Sequence, residues 1–157
     1  MLGKLFRSFR KPKTADAGGL QDTPAKGKVL VVDDDAVVRK TLNIKLGAAG
    51  YQVLEAADGA TALSLIRQEI LDVIIMDIHL VPEPGITWDG FSLMKWLSYS
   101  YAGTHFPTIV ITADTSADMR DKALAAGAGG FFQKPLDMPA LLATMEKLVP
   151  ASAPAAA

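Results

Sequence analysis

The 157-residue chain has no cysteine, which excludes disulfides, thiol nucleophiles and thiolate metal sites. That absence suits the cytosol, the expected location. No apolar run approaches the roughly 20 residues that span a bilayer. The opening MLGKLFRSFRKPK lacks the continuous apolar stretch and small-residue cleavage site of a secretory signal. Net charge is only −1, so no global field draws the protein to nucleic acid, and none is expected as a partner. What is present is ordinary for a soluble globular protein: half the residues are hydrophobic and 21% charged. The length suits one core.

Composition divides the chain. Lys4, Arg7, Arg10, Lys11 and Lys13 precede any acid, and TADAGGLQDTPAKG then reads as a flexible linker. Residues 1–27 are thus expected to be a basic extension and linker, 28–149 a domain, and 150–157 a disordered Ala/Pro tail. Leu2, Leu5, Phe6 and Phe9 share one helical face, so residues 1–13 read either as a disordered basic tail or as a segment making weak contact with an anionic membrane surface, such as the inner membrane face.

Inside the domain, short apolar runs alternate with helical patterns. KVLVV, YQVLEA, DVIIM, TIVIT and GFFQ read as strands. Between them, Val38, Leu42, Leu46 and Ala49 recur at helical spacing, as do Ala62, Leu65, Ile66 and Ile70, and Phe91, Met94 and Leu97. Helices are also expected over Ser116 to Ala126 and Asp137 to Leu148. Five alternating strand–helix pairs predict an α/β fold, a parallel sheet with helices on both faces. In such sheets sites form at the carboxyl ends of the strands, where strand order reverses.

Polar residues gather at those ends. Asp33 and Asp34 follow the first strand, Asp77 the third and Lys134 the fifth, while Thr112 ends the fourth. Clustered carboxylates suit a hard cation such as Mg²⁺. One carboxylate can serve as a nucleophile toward phosphorus, and a hydroxyl and a lysine can neutralise phosphoryl oxygens. The adjacency of Asp33, Asp34 and Asp35 needs an explanation, because two unit charges 4 Å apart repel by roughly 4 kcal/mol at an effective dielectric of 20. Asp35 reads as a helix N-cap, pointing away from the other two.

At these residues the chain resembles a receiver domain of two-component response regulators, over nearly all of residues 28–149. VLVVDDDAVVRK, IIMDIHL, the DG of WDGFSL, IVITA and AGAGGFFQKP follow the family's motifs in order and approximate spacing. The resemblance implies a flavodoxin-like (βα)5 fold with strand order 2-1-3-4-5. It implies that Asp77 accepts a phosphoryl group from a sensor histidine kinase or phosphotransfer protein, with Mg²⁺ as cofactor. Asp33, Asp34, Asp77 and the His79 backbone carbonyl would hold the metal, with Asp34 the more direct of the adjacent pair. Thr112 and Lys134 would grip the phosphoryl group, and Thr112 and Phe131 would form the switch. The family also suggests a cis bond between Lys134 and Pro135. Such a domain is a self-phosphorylating phosphoacceptor rather than a turnover enzyme, and it can also serve as a phosphorelay intermediate. Asp114 and His79 lie where the family tunes phosphate lifetime.

Other readings stand beside this one. Asp33-Asp34-Asp35-Ala36-Val37 also fits the D-x-D-x-[TV] signature of haloacid-dehalogenase-type phosphatases, with Asp33 as nucleophile and Asp35 as acid/base. That reading leaves Asp77 unexplained and lacks an acidic pair in context after Lys134. A receiver-like adaptor working without phosphorylation is the third. Singly, Thr112 fits an ordinary strand residue, Lys134 a surface lysine and Phe131 simple core, and the His79 side chain is not read as a phosphorylated or metal-binding histidine.

The stretch HLVPEPGITWDG is about five residues longer than the family's usual loop, an inexpensive surface excursion in entropy. It reads as inert or as a semi-rigid flap of Pro82, Pro84 and Trp88. The roughly two dozen residues after Lys134 hold only a helix and a tail, too few for a helix-turn-helix, so a stand-alone receiver acting on an unknown protein target is expected.

Overall fold

A computed structural model describes residues 25–80, 89–101 and 106–149. The basic amino-terminal segment, the Pro82–Trp88 stretch and the Ala/Pro tail, with the expectations attached to them, lie outside the described residues. Ten elements alternate: β1 (Lys28–Val32), α1 (Ala36–Ala48), β2 (Gln52–Ala56), α2 (Gly59–Gln68), β3 (Val73–Asp77), α3 (Gly90–Ser100), β4 (Thr108–Thr112), α4 (Met119–Ala125), β5 (Gly130–Gln133) and α5 (Met138–Leu148).

All strand pairs are parallel, and the sheet order is β2-β1-β3-β4-β5. The two central strands β3 and β4 are buried along their whole length, which explains their uninterrupted apolar sequence. Side chains alternate across the sheet. Leu30, Val32, Ile74, Met76 and Val110 face a core built with α2, α3 and α4. Val29, Val31, Val73, Ile75, Ile109 and Ile111 face a second core, which Leu42 and Leu46 of α1 and Leu141 and Met145 of α5 complete.

Carboxylates set the starts of four helices. Asp35, Asp58, Asp89 and Asp137 occupy N-cap positions, and their side chains accept from the amides of Val37, Thr61, Ser92 and Ala140. Strands β2 and β3 each begin one residue later than expected, and two helix boundaries differ by more. Ile70 falls outside α2 and is exposed, because Glu69 at the C-cap adopts extended dihedrals that end the helix. The fourth helix begins at Met119 rather than near Ser116. Asp114 Oδ1 accepts from both the amide and the hydroxyl of Ser116, holding a turn ahead of the helix. The Lys134–Pro135 bond is cis.

Candidate phosphoacceptor site

The register of the central strands builds the site. Val32 pairs with Met76 across β1 and β3, so the residues that follow, Asp33 and Asp77, emerge side by side at the carboxyl edge. Asp77 in turn lies opposite Ile111, one residue before Thr112. Carboxylate oxygens of Asp33, Asp34 and Asp77 lie within 4.8 Å of one another. Asp33 and Thr112 are fully buried, Asp77 nearly so, and Asp34 is exposed.

Lys134 reaches into this cluster from the far end of β5. Its Nζ donates to Asp33 Oδ2 at 2.6 Å and to Asp77 Oδ2 at 2.8 Å. The other oxygens are also occupied: Asp33 Oδ1 accepts from the Asp35 amide and Asp77 Oδ1 from the His79 amide. Burial raises the Asp33 pKa above the usual carboxylate value, outweighing the hydrogen bonds from Lys134 and the Asp35 amide, and the nearby Asp77 charge adds to the rise. For Lys134, burial disfavours the ammonium, but the hydrogen bonds and charges of Asp33 and Asp77 together outweigh it, so its pKa is raised.

Thr112 Oγ1 accepts from the Asp114 amide at 3.0 Å. Above the site, His79 Nε2 lies 3.0 Å from Asp114 Oδ2, joining the segments after β3 and β4. Hydrogen bonds from the Ser116 hydroxyl and amide, with His79 adding to them, lower the Asp114 pKa to about 2. Phe131 is half-buried; it packs against the core under α4 and lines a groove of about 700 Å³ between α4, β5 and α5.

The donor set fits a hard divalent cation: three carboxylates with oxygen ligands converge, and two are buried together at a cost that added positive charge relieves. The adjacency of the three acids is thereby resolved. Asp33 and Asp34 join Asp77, while Asp35 turns away and caps α1 through Val37. The third acid does not suit the phosphatase's acid/base role, because the Asp35 carboxylate is engaged as the cap of α1.

Two contributors escaped the sequence reading. A Cβ on Gly90 would stand 2.7 Å from the Asp77 carbonyl oxygen and 2.8 Å from Ile78 Cα, while the Gly90 amide donates to the Ile78 carbonyl. The DG pair is therefore explained: Asp caps α3, and Gly lets that helix start against the backbone of Asp77 and Ile78. Arg39 is the second; its Nη1 donates to the carbonyls of Asp33 and Asp34. A basic residue on an amphipathic helix usually reads as solvated surface, and no spacing rule marks this one.

Residues 29–146 match the Response regulator receiver domain family. The chain is 35% identical to the response regulator PleD of Caulobacter vibrioides over 121 residues, 77% of this chain and 26% of PleD. It is 36% identical over 121 residues to the transcriptional regulatory protein KdpE of Mycobacterium tuberculosis, covering 77% of this chain and 50% of KdpE. The chain thus spans between about a quarter and a half of these curated relatives. Among solved structures, the chemotaxis response regulator CheY4 of Vibrio cholerae superposes with a TM-score of 0.68 at 31% identity, covering 79% of this chain and 99% of CheY4. The receiver domain of Francisella response regulator 1452 gives 0.69 at 30% identity, covering 78% and 96%. Among the described residues, no helix is long and apolar enough to cross a membrane.

Proposed function

Because the chain belongs to the response-regulator receiver family, we propose that it accepts a phosphoryl group on Asp77 from a sensor histidine kinase or phosphotransfer protein and signals through protein binding. The observation that carries this reading is Lys134 bridging Asp33 and Asp77 beside the exposed Asp34.

In the transfer, a carboxylate oxygen of Asp77 bonds to phosphorus as the bond from phosphorus to the donor nitrogen breaks. The bonding pair stays with the departing imidazole. Lys134 holds one Asp77 oxygen and the His79 amide the other, so the carboxylate is oriented before the donor arrives. As the phosphoryl group settles, Lys134 and the Thr112 hydroxyl donate to its oxygens. Asp33, Asp34, Asp77 and the His79 backbone carbonyl would hold Mg²⁺, which when bound neutralises phosphoryl charge.

The readout runs along β4 and β5. The Lys134 amide donates to the Thr112 carbonyl, so displacement of Thr112 toward the phosphoryl group pulls on the end of β5. Phe131, paired with Val110 in the same two strands, changes its packing in the α4–β5–α5 groove. A partner that binds one groove shape better than the other converts phosphorylation into association.

The test is incubation with a small acyl phosphate and Mg²⁺. Wild type should acquire one phosphoryl group per chain by intact mass, and Asp77→Asn none. Asp33→Asn should still be modified, more slowly. Continuous hydrolysis of generic phosphate esters dependent on Asp33 would overturn the reading, as would the absence of any adduct.

A further inference from the structure

Asp33 and Asp34 lie on a turn whose peptide planes must keep both carboxylates directed at a third acid. The Asp33 amide is tied to β2 through the Ala56 carbonyl. The two carbonyls that follow are held from α1: Arg39 Nη1 donates to Asp33 O at 2.7 Å and to Asp34 O at 3.2 Å. One nitrogen bears two protons, so each carbonyl receives one.

The guanidinium is itself anchored. Arg39 Nε lies 3.5 Å from Glu55 Oε1 on β2, and the other Glu55 oxygen accepts from Asn43 Nδ2 at 2.7 Å. The Arg39 side chain is only 17% exposed, so its head is not a freely solvated surface charge. Asn43, Glu55 and Arg39 form a chain from α1 through β2 to the acidic turn, ending on backbone rather than on the carboxylates. Only a planar fork serves both ends at once; an ammonium offers a point charge without that geometry.

Resting on the Mg²⁺-dependent receiver reading, we propose that Arg39, oriented by Glu55, is a positioning residue for the metal site. It fixes the peptide carbonyls of Asp33 and Asp34, and so keeps both side chains turned toward Asp77 before a cation binds. Outer groups of this kind characteristically change metal affinity by 10–100-fold when removed. The effect is expected on cation affinity and on the Mg²⁺ concentration needed for phosphorylation, not on the phosphorylation rate once Mg²⁺ saturates.

Mg²⁺ titration of the full chain by calorimetry, with no phosphodonor present, tests this. Arg39→Gln should weaken binding roughly tenfold or more, and Arg39→Lys should fail to restore it. Glu55→Gln, a milder change on a partly exposed side chain, should weaken binding about threefold and have no further effect in the Arg39→Gln background. Phosphorylation at saturating Mg²⁺ should stay near wild type in all of them. If Arg39→Gln and Glu55→Gln fold and bind Mg²⁺ as wild type does, the inference falls. Full activity of Arg39→Lys in binding would also overturn the fork argument. Failure of wild type itself to bind Mg²⁺ would remove the functional reading and this inference with it.

Discussion

Lys134 and Asp33 stand 101 positions apart in the chain, yet their side chains meet at 2.6 Å. The sheet order makes this possible: β1 lies beside β3, and Lys134 extends from the edge strand β5 across β4 to reach both acids. The lysine is the counter-charge that permits two buried carboxylates at one edge. It is also the group that we propose meets the phosphoryl oxygens.

Replacing Lys134 with Met should lower stability by about 2 kcal/mol at neutral pH, because Asp33 and Asp77 then face each other without their shared cation. Urea unfolding should show this loss shrinking on addition of Mg²⁺, which supplies the missing charge. The wild-type pH profile carries a matching signature. A raised lysine pKa contributes stability fully present below its ordinary value of 10.5 and lost as pH rises through the folded-state value. Lys134→Met should lack that alkaline decline.

Asp34 is exposed and adds a third negative charge to the cluster. Asp34→Asn should therefore raise stability without Mg²⁺ by about 0.5 kcal/mol, as expected for relief of a solvated like-charge contact. The same substitution should weaken Mg²⁺ binding at least tenfold. Thermal melts with and without Mg²⁺ separate the two effects.

Gly90→Ala places a methyl group against the Asp77 carbonyl and Ile78 Cα, backbone atoms with little room to retreat. A loss of roughly 1–3 kcal/mol is expected from overpacking, with slower phosphorylation because the end of β3 must shift. Equilibrium unfolding and the rate of adduct formation report the two consequences.

At the acid end, Asp114 provides the second pH signature. Its pKa is lowered to about 2, so its contribution is present above the ordinary value of 3.8 and disappears as pH falls toward 2. Asp114→Asn should flatten the stability profile in that window. Asp33 acts in the opposite sense: its raised pKa makes the folded state bind the proton more readily, which favours folding as pH falls. Proton-resolved NMR titration of the two carboxyls distinguishes them.

Much of this arrangement is legible in the sequence because burial on both faces makes β3 and β4 uninterrupted apolar runs, and the first polar residues after such runs mark the site edge. Asp33, Asp34 and Asp77 stand out for that reason, whereas Lys134 follows Gln133 at the end of the partly exposed edge strand β5 and is marked by its place in the AGAGGFFQKP motif. Asp35 is legible as a cap because its position relative to the helical stripe is local. The α4 start is not, since the Asp114–Ser116 turn competes with helix formation through side-chain bonds that leave no periodicity. Arg39 is hidden for another reason. Its partners are backbone carbonyls and a β2 carboxylate, and only the packing of α1 against the sheet brings them together.

The identity of the modified side chain is decided by phosphorylating the protein with a small acyl phosphate and Mg²⁺, reducing the acyl phosphate with borohydride and mapping the altered residue by peptide mass spectrometry. The alteration should lie at Asp77 alone. Modification at Asp33 or Asp34, with Asp77 unaltered, would contradict the assignment of the nucleophile.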